Sequence, residues 1–160
     1  MKARLHIWAM LTVVLIGIGT AALPRRTAKS ARGAPFPWTC TRVIDGDTIV
    51  CVRDGIEERV RLLNIDTPER GQQGYAEARE VMRALVEGYP VRLEGKGTDG
   101  ALTRDRYGRL LAWVHVDGLH INVHMVRLGH SPYVPSPATH PHVNAFVNAA
   151  TDGQVCGNTL

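Results

Sequence analysis

Two short segments of the chain bring acids and arginines together in patterns that can do chemistry. Val43-Ile44-Asp45-Gly46-Asp47-Thr48 sets two carboxylates around one glycine. Arg61-Leu62-Leu63-Asn64-Ile65-Asp66-Thr67-Pro68-Glu69 carries an arginine and two more acids into a bend whose φ is fixed by the proline. A hard divalent cation takes several oxygen ligands, and Asp47 and Asp66, with a freed backbone carbonyl and water, supply such a set for calcium or magnesium. Glu69 follows Asp66 by three residues, so it can reach that site without ligating, which is where a base that activates water would sit. Arg61 and Arg109, the latter after Asp105-Arg106-Tyr107-Gly108, carry planar forks that grip a phosphate at two points and stabilise charge building on it. A metal, a base and two arginines form the set needed to hydrolyse a phosphodiester, whose own charge repels anionic nucleophiles. Each residue alone has an ordinary explanation. Asp-Gly is a common hairpin turn, an acid or threonine before proline often caps or turns, and surface arginines are mostly solvated. Those explanations account for one acid at a time and not for four near strand ends.

The elements that must position these groups follow from periodicity. Thr39–Ile44 and Thr48–Val52 are β-branched runs on either side of Asp45-Gly46-Asp47, and Glu57–Leu63 follows the Asp54-Gly55 turn, which gives three antiparallel strands. Between Gly74 and Gly88, Ala78, Val81, Met82 and Leu85 recur at helical spacing while Glu77, Arg79, Glu80 and Arg83 take the other face. Val91–Glu94 and Leu110–Val116 read as two further strands, the second closed by Asp117-Gly118. Ile121–Leu128 is a second helix ending at Gly129, His130–Pro141 with its four prolines is irregular, and 142–150 is a short helix. The fold class is therefore α+β, mainly β: a five-stranded barrel of the oligonucleotide-binding (OB) fold type with two or three helices. Trp113 and Met125 belong to its core.

In this order and with this helix between the second and third blocks, the segments 43–49, 61–69 and 105–118 resemble the staphylococcal (micrococcal) nuclease, or thermonuclease-like, family. The resemblance spans Thr39 to about Gly129. It implies the same barrel and a calcium-dependent phosphodiesterase acting on DNA and RNA that breaks the P–O5′ bond and leaves 3′-phosphate ends. It also implies roles. Asp47 and Asp66 are the metal carboxylates, Thr67 lends its backbone carbonyl, and Asp45 stands behind the ligands. Glu69 is the general base, Arg61 and Arg109 hold the scissile phosphate, and Tyr107 contacts a terminal phosphate, with Tyr133 as a second nucleotide contact. The chain departs from the family's pattern in a short loop at Arg70–Gly74 and in a C-terminal helix that ends near Ala150. The competing expectation is a catalytically weak or inactive oligonucleotide-binding or protein-interaction module of the same fold, against which stand the intact acids and arginines.

The remaining features bound the whole. A chain of 160 residues with 44% hydrophobic and 21% charged residues makes one folded domain, and excludes both wholesale disorder and a multi-span membrane protein. Nineteen Lys and Arg against fifteen Asp and Glu give a net charge of +4. Lys2 and Arg4 precede the uncharged run Ile7–Leu23, which ends near Gly19, Thr20, Ala21 and Ala22, the pattern of an export signal and just long enough to remain as a membrane anchor. The expected layout is a signal or anchor at 1–23, a linker at 24–37, the domain at 38–150 and a tail at 151–160. The protein is expected to be a monomer that acts in the periplasm or outside the cell, tethered through residues 7–23 if the signal is not cleaved. In that oxidising setting, Cys40 and Cys51, on either side of one turn, are the first expected disulfide pair, while Cys156 could pair with either or outside the chain. His120 and His124, four apart on a helix, suit a metal, but no third ligand has a predictable place beside them.

Overall fold

The β-branched runs around Asp45-Gly46-Asp47 pair as an antiparallel hairpin in the computed structural model, which describes residues 38–97, 99–136 and 140–157. β1 (Trp38–Val43) meets β2 (Thr48–Arg53) with Cys40 opposite Cys51 and Val43 opposite Ile49. A bulge between Cys40 and Arg42 absorbs one residue, so Trp38, Cys40 and Val43 all face the core despite their uneven spacing. β3 (Ile56–Leu62) returns along β2 through Asp54-Gly55, whose φ values of 53° and 77° belong to the turn type that matches hairpin twist.

α1 (Tyr75–Val86) buries Ala78, Met82 and Val86, with Val81 and Leu85 packed at the margin. β4 (Pro90–Glu94) then pairs with β1, β5 (Thr103–Arg104) forms a two-residue edge, and β6 (Leu110–Val116) pairs with both β4 and β5. β6 also runs parallel to β3, with Val60 opposite Leu110 and Leu62 opposite Ala112. The order β3-β2-β1-β4-β6 therefore returns to β3, and five strands close a mixed barrel. Closure removes the free edges that would otherwise leave backbone groups unpaired. Ile49, Val60, Leu62 and Trp113 fill the interior together with Met82, Met125 and Phe146 from the helices.

β7 (Leu119–His120) folds back on β6 through Asp117-Gly118 and leads directly into α2 (Ile121–Arg127). Asn122, fully buried at the start of α2, accepts from the Val114 N–H and donates to the carbonyls of Leu63 and Ala112, fastening the helix to the barrel. α3 (Val143–Gly157) packs on α2.

Three expectations change here. The two-residue strands β5 and β7 add to the five long ones, because runs this short carry no periodicity of their own. The C-terminal helix does not stop at Ala150: residues 151–157, expected as tail, continue α3. Gly153 allows this, since a Cβ there would lie only 3.2 Å from the Val126 carbonyl and 3.3 Å from that of Arg127, so its absence lets α3 approach the end of α2. Cys40 and Cys51 stand directly opposite each other but as free, buried thiols, not as a disulfide. A hydrogen bond to Cys40 and burial push the Cys51 thiol up. The signal segment at 1–23, the linker at 24–37, Pro137 and the Cys156 side chain lie outside the described residues. Among the described residues no helix is long and apolar enough to cross a membrane.

Candidate active site

Asp47 sits inside a turn closed by Ile44 N–H and Asp45 N–H on the Thr48 carbonyl, and its own carbonyl accepts from Leu62 N–H at 2.8 Å, which joins the first hairpin to the end of β3. Asp45 Oδ1 accepts from Asp47 N–H at 3.1 Å and so shapes the turn that presents Asp47, which fits a place behind the ligands. Asp47 is buried: Oδ1 accepts from the Thr48 hydroxyl at 3.1 Å, and Oδ2 accepts from Thr67 N–H at 3.0 Å and Thr67 Oγ1 at 3.2 Å. Gly46 is required by that contact, since a Cβ there would fall within 2.8 Å of the Thr67 side chain.

Arg61 joins the two acids. Its Nη2 lies 3.2 Å from Asp47 Oδ2 and 2.9 Å from Asp66 Oδ1, while Nη1 donates to the carbonyls of Leu62 and Ile65, each at 2.8 Å. Asp66 is held from behind by Ser131, whose hydroxyl accepts from Asp66 N–H at 2.8 Å and donates to the Pro132 carbonyl. Burial pushes the Asp47 carboxyl above the usual aspartate range, and the Arg61 charge and the Thr67 N–H pull it back only in part. Two carboxylates that converge on one cationic nitrogen, one already stripped of water, make a doubly anionic oxygen site. That donor chemistry suits a hard divalent cation and not a thiolate- or imidazole-seeking one.

Arg109 lies immediately before β6, the strand that pairs with β3 beside Arg61. The parallel register places Val60 and Leu110 side by side inside the barrel, so Arg61 and Arg109 both fall on the outward face. Arg109 Nε donates to Asp105 Oδ2 at 2.7 Å, and Asp105 Oδ1 accepts from the N–H groups of Tyr107 and Arg109, each at 2.9 Å. Burial works to raise the Asp105 carboxyl, but its hydrogen bonds from Arg109 and Tyr107 prevail and hold it below the usual range. Arg104 clamps this loop to β3 with a bidentate pair to Glu58, at 2.6 and 2.8 Å, and a hydrogen bond to the Gly108 carbonyl. Tyr107 is exposed, with the Arg106 guanidinium 4.8 Å from its ring centre and that of Arg109 at 5.5 Å.

Among the residues expected at the site, Asp45, Asp47, Arg61, Asp66 and Thr67 form one connected network. Glu69 is exposed beside it on the next turn, its N–H bound to Gln72 Oε1 and its carboxylate without a hydrogen-bond or ion-pair partner among the described residues. Tyr133, half-buried, stacks its ring on Phe146 at 4.9 Å, and its hydroxyl lies 3.3 Å from His140 Nε2. The antiparallel bridge between Tyr133 and Ile65 fixes that orientation. Sequence reasoning missed Ser131 and the Glu58–Arg104 clamp, which couple residues far apart in the chain. The Asp105–Arg109 pair had a signal, an acid four residues before an arginine across a glycine turn.

The geometry can be set beside known proteins. The family model described as Staphylococcal nuclease homologue matches residues 59–155. The chain is 42% identical over 89 residues to a protein of Escherichia coli named an uncharacterized endonuclease, covering 55% of this chain and 54% of that one. It is 38% identical over 109 residues to the endonuclease YncB of Bacillus subtilis, covering 63% and 50%. It is 34% identical over 111 residues to the thermonuclease of Staphylococcus intermedius, covering 66% and 62%. The chain thus spans between about half and less than two thirds of the length of these relatives. With the family model matching more than half of the chain and the five-stranded barrel in place, the chain belongs to the staphylococcal nuclease homologue family.

Proposed function

We propose that this protein is a metal-dependent endonuclease that hydrolyses DNA and RNA with little sequence specificity. The observation that supports it most is the meeting of Asp47 and Asp66 at Arg61, in a family whose relatives are named endonuclease and thermonuclease. Asp47, Asp66 and the Thr67 carbonyl would hold the ion, calcium in this reading with magnesium as the second choice. When bound, the ion supplies positive charge against the anionic oxygens of the substrate.

The chain's own groups do the rest. Arg61, locked by two backbone carbonyls, and Arg109, oriented by Asp105, grip the non-bridging phosphate oxygens and stabilise the charge that grows on them during in-line attack. Glu69, exposed and unpartnered, takes a proton from the attacking water as its oxygen bonds to phosphorus. The P–O5′ bond breaks with its electron pair on the 5′ oxygen beside Arg109, which takes a proton from solvent water, leaving a 3′-phosphate and a 5′-hydroxyl. Tyr107 contacts the nucleotide's terminal phosphate. Contacts directed at phosphate carry no base information, which accounts for weak specificity. Residues 1–23 direct export as a cleaved signal or stay as a membrane anchor, and the protein acts as a monomer in the periplasm or outside the cell.

The test is cleavage of single- and double-stranded DNA and RNA by the purified protein with calcium, with magnesium and with chelator. Chelator-sensitive cleavage giving 3′-phosphate ends is expected, and a folded protein that cleaves nothing rejects the reading. Sequencing the N-terminus of the protein recovered from its host decides between a cleaved signal and an anchor.

A further inference from the structure

A second cluster of titratable side chains lies among β4, the β6–β7 hairpin and the start of α3, and it shares no residue with the phosphodiester site. His115 and His120 are direct partners across the hairpin, which brings their ring centres to 4.6 Å. His142, just before α3, places a third ring 4.6 Å from His120 and 5.9 Å from His115. One ring nitrogen from each of the three lies within 4.8 Å of the other two. Glu94, on β4, meets two of the three through different oxygens: Oε2 is 3.0 Å from His115 Nε2 and Oε1 is 2.9 Å from His142 Nε2.

A hydrogen-bonded staple between α3 and the sheet would account for Glu94, His115 and His142. It does not account for His120. The Nε2 of His120 is buried and has no hydrogen-bond partner among the described residues, although buried polar atoms are rarely left unpaired. The neighbouring histidines separate cleanly from the cluster. His140 has both nitrogens engaged, with Tyr133 and with the His142 N–H, and His124 on α2, whose buried Nδ1 also lacks a partner among the described residues, does not join the three grouped nitrogens.

We propose that His115, His120, His142 and Glu94 form a binding site for one borderline transition-metal ion, zinc(II) in particular. Three imidazoles and one carboxylate make a tetrahedral donor set of the kind zinc takes, and one that calcium, which wants six to eight oxygens, does not. Zn–N bonds of about 2.0–2.1 Å in a tetrahedron set neighbouring ligand atoms roughly 3.3 Å apart. Each Glu94 contact is close to that spacing but uses its own oxygen, so one oxygen must turn to the ion while the imidazole nitrogens draw in by up to about 1.5 Å. Ligation at His120 Nε2 puts the proton on Nδ1, so the long 3.4 Å contact that Nδ1 accepts from Val123 N–H is given up in exchange. Since all four positions come from the chain, the ion is structural: it ties the first residues of α3 to β4 and to the β6–β7 hairpin.

The full chain, freed of metal by chelator and dialysis, is titrated with zinc chloride by calorimetry and with cobalt(II) by visible absorption. The expected result is one ion bound with micromolar or tighter affinity, an intense tetrahedral cobalt spectrum, and a zinc-dependent rise in Tm. His120→Gln and His142→Gln should each weaken zinc binding at least a hundredfold and abolish both the spectrum and the Tm rise, while His130→Ala leaves them unchanged. His142 lies outside regular structure, so its variant carries the test if His120→Gln does not fold. Absence of saturable binding overturns the proposal, as does binding that either folded variant leaves intact. Asp47→Asn should not alter the cobalt spectrum, which keeps this result separate from the nuclease reading.

Discussion

Asp47 and Asp66, nineteen positions apart in sequence, are joined through a single atom, the Nη2 of Arg61, at 3.2 and 2.9 Å. One acid is buried and the other largely exposed, so the guanidinium links a desolvated charge to a solvent-facing one. Arg61→Ala should therefore fail in two ways. Loss of a positioned donor at the phosphate should lower kcat about 10²–10³-fold. Leaving Asp47 buried without its partner should cost about 3–5 kcal/mol of stability, read as a lower midpoint in urea unfolding. An Arg61→Ala protein with unchanged midpoint would show that Asp47 does not depend on the pair.

Asp47→Asn should separate stability from function. Burial is the largest influence on this carboxyl and outweighs its partners, so the ionised form is held at a cost. Asparagine keeps an oxygen for Thr67 and can offer its amide to the Thr48 hydroxyl. The expected outcome is a metal-free Tm equal to or above that of the parent, with cleavage lost. A clear drop in Tm would mean that the Arg61 attraction, and not desolvation, dominates at this position.

Gly46→Ala drives a methyl group into Thr67 within 2.8 Å. Because the Thr67 side chain is itself packed against Asp47, it cannot yield without moving the acid, so overpacking of about 1–3 kcal/mol is expected together with weaker calcium binding. Calorimetric titration of calcium against parent and variant measures the second effect.

Asp105→Ala tests positioning at the second arginine. Asp105 touches Arg109 and the backbone of its own loop, so its removal should lower kcat through a wandering guanidinium. Removing Arg109 itself should lower kcat about 10²–10³-fold. The double variant should then be no slower than Arg109→Ala alone, because Asp105 acts only through the arginine. Strict additivity in kcat would assign Asp105 a role of its own.

Acid should destabilise the metal-free protein through its histidines. Burial drives His120 down to about 3 from an ordinary 6.5 and also lowers His115. For a histidine held neutral in the fold, the unfolded chain binds the proton more readily, so the stability is fully present above pH 6.5 and is lost as pH falls from there toward about 3. Urea midpoints measured from pH 7.5 to 4.5 should fall, and the slope should flatten in His120→Gln.

The sequence alone determined what depends on local pattern and residue chemistry. Alternation and turn signals at Asp54-Gly55 and Asp117-Gly118 specified strands and hairpins, because those turns need positive φ that few residues tolerate. The spacing of Ala78 and Met82 placed α1, and the three acidic and basic blocks named Asp47, Asp66 and Arg61 before any coordinates. What only the tertiary structure decided is which distant groups share space. Barrel closure through the parallel β3–β6 pair set Arg109 immediately before the strand beside Arg61. The same folding turned Tyr133 onto Phe146, set the Cys40 and Cys51 thiols against each other, and brought α3 close to the end of α2 at Gly153. It also paired His120, on β7, with His115 and His142 and not with His124, four residues on in α2. Helical spacing reports neighbours on one element, whereas this cluster draws its members from the β6–β7 hairpin and the start of α3, with Glu94 from β4.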